Sequence, residues 1–211
     1  MARRRKVEVR REEILVATLE QIDARGMAAV RVADVAAALG VSTALVFYHF
    51  ETKDALLVEA FEFAVERDLR RLDRQLASGR DPVDRLRRVI SSYGPSPTDG
   101  WALWFDAWAT AIREPTIRKA LRRLDDRWRS SLAETIREGI ESGEFSCADP
   151  TATLARVGAL YDGLSVAVLV YENVTRTELK AWLRDALAAE LGIDPARLGP
   201  RKRARRVTAA S

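Results

Sequence analysis

The sequence predicts an all-α fold of about nine helices, and three observations carry that expectation. Apolar residues recur at i, i+3 and i+4 through most of the chain, strand-type alternation is absent, and 11 Gly and 7 Pro are few punctuators for 211 residues. A hydrophobic content of 47% beside 31% charged residues supplies a sizeable core under a densely charged surface. No internal repeat is visible.

Each helix has its own signals. Ile14, Leu15, Thr18, Leu19 and Ile22 form one stripe on a helix from Arg10 to about Arg25, and Gly26 stands where it should end. Val32, Val35, Ala36 and Leu39 mark a short helix, which Gly40 breaks before Val41 re-enters the core. Ser42 is an N-cap residue for a second short helix over Thr43 to Phe50, and Thr52 caps a long one from Lys53 to about Ser78. Asp81-Pro82 opens a helix to about Tyr93, and residues 94–100 read as a loop. An aromatic helix spans Trp101 to Arg113, and Pro115 begins a charged one that reaches about Glu141. After Asp149-Pro150, Leu154 to Tyr171 is nearly all apolar or small, and Thr175 caps a last amphipathic helix ending at Gly192.

Composition excludes several chemistries. Cysteine occurs once, at Cys147, and histidine once, at His49, so neither a disulfide framework nor a His/Cys metal site is expected, and no cofactor is. A serine hydrolase needs a base that this chain does not offer elsewhere, and no Gly-rich phosphate loop occurs, so an enzyme is not expected. The start is basic but lacks a following apolar run, and no uncharged stretch approaches about 20 residues, so the expectation is a soluble, cytoplasmic protein with no membrane partner. Net charge is +4, with basic clusters at Arg3-Arg4-Arg5-Lys6 and over 201–206. Such tails bind polyanions or simply keep a protein in solution.

A helix ending near Arg25, a helix over 32–39, a Gly40-Val41 turn and a helix after Ser42 have the layout of a helix-turn-helix, whose second helix enters the DNA major groove. The bracing helix needs small buried residues such as Ala36, and the turn needs a glycine. A plain helical hairpin has the same spacing, so residue identities must decide.

Val32-Ala33-Asp34-Val35-Ala36-Ala37-Ala38-Leu39-Gly40-Val41-Ser42, then Leu45-Val46-Phe47-Tyr48-His49-Phe50 and Thr52-Lys53-Asp54-Ala55-Leu56-Leu57, resembles the DNA-binding domain of TetR family regulators over about residues 8 to 60. Trp101 to Gly192 more distantly resembles the ligand-binding half of the BetI-type branch, most clearly in Glu138-Gly139-Ile140-Glu141-Ser142-Gly143-Glu144-Phe145 and Tyr161-Asp162-Gly163-Leu164. The resemblance implies an all-helical homodimer that binds a palindromic operator on double-stranded DNA and releases it when a small-molecule effector, of unstated identity, enters the second domain. It also implies base-facing positions at Thr43, Ala44, Leu45 and Phe47, and phosphate contacts from Arg31, Tyr48, His49 and Lys53.

Departures from that pattern matter. Ala33, Leu45 and Phe47 stand where other members carry more polar residues or Tyr, leaving Thr43 with the rim residues Ser42 and Tyr48 as hydrogen bonders. Readout should therefore lean on thymine methyl contacts to Ala44, Leu45 or Phe47. The Arg3, Arg4, Arg5 and Lys6 arm is expected to add to this from an adjacent minor groove.

In the second half, Trp101, Trp104 and Trp108 recur on one helix face with Phe105 beside them. They read either as a packed aromatic core or as a pocket wall for an apolar, aromatic or cationic ligand, with Asp106 or Asp162 as a polar anchor or as a helix brace. The helices over 154–171 and 175–191 are the expected dimer surface, the first being apolar on more than one face. The expected organisation is a basic arm over 1–7, a three-helix DNA-binding domain over 8–53, a larger ligand-binding and dimerisation domain over 54–192, and a basic tail over 193–211. The reading is a ligand-responsive regulator of the repressor type. Its rivals are a helical protein that binds polyanions or membrane surfaces through its basic tails, and a family member that binds DNA but takes no ligand.

Overall fold

A computed structural model describes residues 2–92 and 101–200, and its secondary structure among these is helical, with no strand. Nine α-helices follow in order: α1 (Ala2–Arg25), α2 (Val32–Ala38), α3 (Thr43–His49), α4 (Lys53–Ala77), α5 (Pro82–Ser92), α6 (Trp101–Ala111), α7 (Pro115–Glu141), α8 (Pro150–Leu169) and α9 (Arg176–Leu191). Short 3-10 turns occupy Met27–Ala29 and Pro195–Leu198. The expected loop at 94–100 and the basic stretch over 201–206 lie outside the described residues.

The described residues fall into two compact units. The first is drawn from Met1–Asp73 and Ser96–Ser130, the second from Arg74–Pro95 and Ser131–Ser211. In the first, Ile14, Ile22, Met27, Val30, Val35, Val46, Phe50, Leu56 and Phe61 form one continuous core with Ala107, Ala111, Ile117 and Leu124. The helix-turn-helix therefore shares its core with α4, α6 and the start of α7. The core continues past Lys53 because three short helices leave an apolar face that Leu56, Ala60 and Ala107 complete.

In the second unit, buried Val83, Leu86 and Ile90 of α5, Leu132 and Ile136 of α7, Leu164 of α8 and Leu179, Leu183 and Leu187 of α9 supply the core. The Glu138-to-Phe145 run has a packing reason. Its chain reverses so that Phe145 donates its amide to the Gly139 carbonyl at 3.0 Å, and the Phe145 ring fills the space where a Gly139 side chain would sit. Asp149 caps α8 ahead of Pro150, and Thr175 with Glu178 forms a full capping box on α9.

Two terminal expectations change. α1 begins at Ala2, so the basic cluster Arg3 to Lys6 is part of a helix rather than a separate arm over 1–7. The run contains good helix formers with no Gly or Pro to stop them. At the other end, residues beyond Gly192 do not all read as tail. Asp194 caps the 3-10 turn, and Leu198 is 2% exposed, held beside α5 and α9. α8 is long and apolar enough to cross a membrane by length and composition, although Arg156 and Asp162 interrupt its apolar run. Its composition equally suits a helix packed by protein on several faces.

Candidate functional site

α2 and α3 cross at 106°, within the range of helix-turn-helix pairs. The turn follows from Gly40. Its φ of +63° is open to glycine at little cost, and it allows Gly40 to donate to the Ala37 carbonyl and Val41 to the Ala36 carbonyl, at 3.1 and 3.0 Å. Ser42 then caps α3, its hydroxyl oxygen accepting the Leu45 amide at 3.2 Å.

On α3, Val46 is buried, as is Phe50 just beyond it, while Thr43, Ala44, Phe47 and Tyr48 share the outer face. Phe47 is 46% and Tyr48 77% exposed, a large solvent-facing aromatic surface for a helix of seven residues. Leu45 and His49 are half-buried, and the His49 ring lies between those of Tyr48 and Phe50, with centroids at 5.4 and 6.4 Å. Arg31 is exposed at the N-cap of α2. Lys53 opens α4 and donates to the Ala28 carbonyl at 3.2 Å, which leaves two further ammonium hydrogens.

Arg11, which sequence reasoning passed over, anchors the recognition helix. Its guanidinium donates to the His49 carbonyl, binds both Glu59 carboxylate oxygens and lies 4.3 Å from the Phe50 ring centroid. One side chain thereby ties α1 to the end of α3 and to α4. Nothing in the local pattern pairs residues 38 and 48 positions apart.

The aromatic residues of α6 form a cluster in this same unit. Trp101 lies 5.8 Å from Phe105 and 6.1 Å from Trp108, while Trp104 and Phe105 lie 6.2 and 5.6 Å from Trp108. Trp104 also meets Phe61 of α4 edge-on at 5.2 Å. All four α6 rings are half-buried, so they are neither a sealed core nor a bare surface. Asp106 faces elsewhere, accepting the Met27 amide at 3.1 Å. Asp162 is half-buried on α8 of the second unit. Among the described residues, no three His, Cys, Asp or Glu side chains gather as metal ligands.

Residues 14–60 match the family of bacterial regulatory proteins called tetR, and residues 82–192 match the BetI-type transcriptional repressor C-terminal family. The chain belongs to the TetR family. It is a TetR transcriptional regulator of the BetI type, with a DNA-binding helix-turn-helix, and its function class is regulation rather than catalysis. The HTH-type transcriptional regulator BetI of Stenotrophomonas maltophilia is 32% identical over 74% of this chain and 79% of that protein. BetI of Paraburkholderia phytofirmans is 31% identical over 87% of this chain and 85% of its own length. Among solved structures, a transcriptional regulator of Saccharomonospora viridis in complex with choline is 32% identical, with a TM-score of 0.76, covering 84% of this chain and 95% of that one.

Proposed function

We propose that this TetR regulator is a homodimeric repressor that binds a palindromic operator and is released by a quaternary ammonium compound of the choline class. The observation that carries the ligand half is the cluster of four α6 rings at 5.6 to 6.2 Å, half-buried on one helix. A quaternary ammonium has no hydrogen to donate, so it is recognised by ring faces rather than by a polar anchor. The choline complex of the Saccharomonospora viridis relative supports the same chemistry.

On the DNA side, Thr43, Ala44, Leu45 and Phe47 are assigned to base edges, and Arg31, Ser42, Tyr48, His49 and Lys53 to the phosphates. The exposure of Phe47 and Tyr48 supports this, since apolar and aromatic groups left in water on a short helix call for a partner. Arg3, Arg4, Arg5 and Lys6 precede Arg11 on α1, within about 12 Å of axial rise. From there they add phosphate contacts at the flank of the site. Dimerisation is assigned to α8 and α9, supported by exposed Leu160, Val170, Tyr171 and Trp182 on or beside those helices.

The deciding experiment selects duplexes from a random DNA library at near-physiological salt, then titrates choline chloride into the complex with the enriched duplex. An inverted repeat released by choline is expected, with W108A keeping DNA binding and weakening the choline response by roughly tenfold. Binding that tracks only length and charge would leave the basic clusters as the driving feature instead. A repeat that choline does not release would remove the ligand half alone.

A further inference from the structure

Between α1 and α2 the chain must turn in six residues, and the turn is gripped at both ends. Gly26 adopts φ +80°, and Ala29 closes back onto its carbonyl at 3.1 Å. Lys53 holds the Ala28 carbonyl, and Arg25 pairs with Asp34 at 2.8 Å. Those contacts come from α1, α2 and α4. The fourth comes from α6, where Asp106 accepts the Met27 amide at 3.1 Å across 79 residues of sequence.

We infer that Asp106 is a positioning residue for DNA binding, fixing the turn that aims α2 and α3, and that it couples the ring-bearing face of α6 to that turn. The coupling half rests on the ligand reading above; the positioning half does not. Three features carry it. The Met27 side chain is fully buried, so its amide has little water to turn to once the carboxylate leaves. A Cβ on Gly26 would stand 3.4 and 3.5 Å from the two carboxylate oxygens, so the turn and the carboxylate are fitted closely. Ala107 beside it is fully buried in the core that the helix-turn-helix shares, so α6 is seated against that core by its neighbouring residue.

Helical geometry gives α6 two faces with different tasks. Asp106 is rotated about 100° from Phe105 and about 200° from Trp104 and Trp108, so rings and carboxylate project from different sides of one rigid rod. A ligand that displaces the rings displaces the carboxylate with them. Because a hydrogen bond of this length is lost within about 0.5 Å of further separation, a small movement is enough to release the turn.

The test compares D106A, which loses the acceptor, with D106N, which keeps an oxygen in the same place. Operator affinity is read by fluorescence anisotropy on the duplex enriched from the random library, beside circular dichroism and amide exchange at Met27. D106A should bind about tenfold more weakly with native helix content and faster Met27 exchange, and D106N should stay within about threefold of wild type. If D106A does not fold, D106S, too short to reach the amide, carries the same expectation. Choline chloride followed by tryptophan emission should bind D106A and wild type alike, while its effect on operator affinity shrinks in D106A. Wild-type operator affinity in D106A, or a D106N as weak as D106A, overturns the positioning role. An undiminished choline effect in D106A overturns the coupling. If choline does not bind wild type, the ligand reading and the coupling fall together, and operator affinity still decides the positioning role.

Discussion

Arg127 of α7 donates to Glu66 of α4 at 2.6 Å, and Arg123 pairs with Glu62 one turn earlier at the same separation of 61 residues. Equal offsets in the same direction mean that α4 and α7 run parallel along this stretch of the first unit. The Arg127 hydrogen bond holds the Glu66 carboxyl below its ordinary value, and the Arg127 guanidinium is raised by the same bond.

These side chains are substantially exposed, so solvent screens them and each pair contributes on the order of 0.2–1 kcal/mol. The double variant E62Q/E66Q should melt a few degrees lower at about 0.05 M salt and close to wild type at about 1 M. Calorimetry at both salts checks this. An equal loss at both would mean that packing, not charge, aligns the two helices.

Glu190 of α9 is bound by the Arg156 guanidinium of α8 and accepts from Thr153 at 2.8 Å, which together push its carboxyl down to about 2. A depressed acid stabilises the folded chain above its unfolded value of about 4.3 and loses that contribution as pH falls through the folded value. Wild type should therefore outlast E190Q in thermal melts near neutral pH, with the gap closing between about pH 4.5 and pH 2. A gap that stays constant through that window would contradict the ion-pair origin.

Gly40 has open space where a Cβ would go, so G40A tests backbone conformation without a clash. A left-handed φ at a non-glycine residue costs about 1–2 kcal/mol, which predicts a melting temperature lower by roughly 2–8 °C. Thermal denaturation of G40A reads this directly. No change would mean that the turn relaxes to another conformation.

Removing Arg11 detaches the end of α3 from both α1 and α4. R11M keeps much of the stem over Phe50 while losing the hydrogen bonds, and should weaken operator binding several-fold with little change of sequence preference. Affinity and a repeat of the library selection separate the two effects. A shifted consensus would instead place Arg11 at the bases.

At Lys53 and Phe47 the expectations differ in kind. K53A should weaken binding evenly across sequences and reduce the salt slope by about 1, whereas F47A should cost about 1–3 kcal/mol at thymine-bearing positions and relax preference there. Salt titration and selection with each variant provide the readout. A sequence-selective K53A, or an F47A of unchanged preference, would reverse the assignments.

Much of this fold was legible because its signals are local. Ser42, Thr175, Gly40 and Pro115 act within one turn of where they stand, and the helix starts they mark agree with the structure. The start of α1 was less so, since Arg3 to Arg5 reads as a tail by charge and as a helix by propensity. Leu198 was missed because a single apolar residue after a glycine has no period to reveal it. At the site, the base-facing positions on α3 came from the family resemblance and not from spacing. Arg11, and the actual partner of Asp106, could not be read from the sequence, because each meets its partner only after dozens of intervening residues have folded.

The core that joins the helix-turn-helix to Ala107, Ala111, Ile117 and Leu124 bears on how this regulator can be rebuilt. A chimera cut after Lys53 would carry only part of a hydrophobic interior into a foreign sensor. Because residues 2–73 share that interior with 101–130, a transplanted specificity should survive only when both segments travel together.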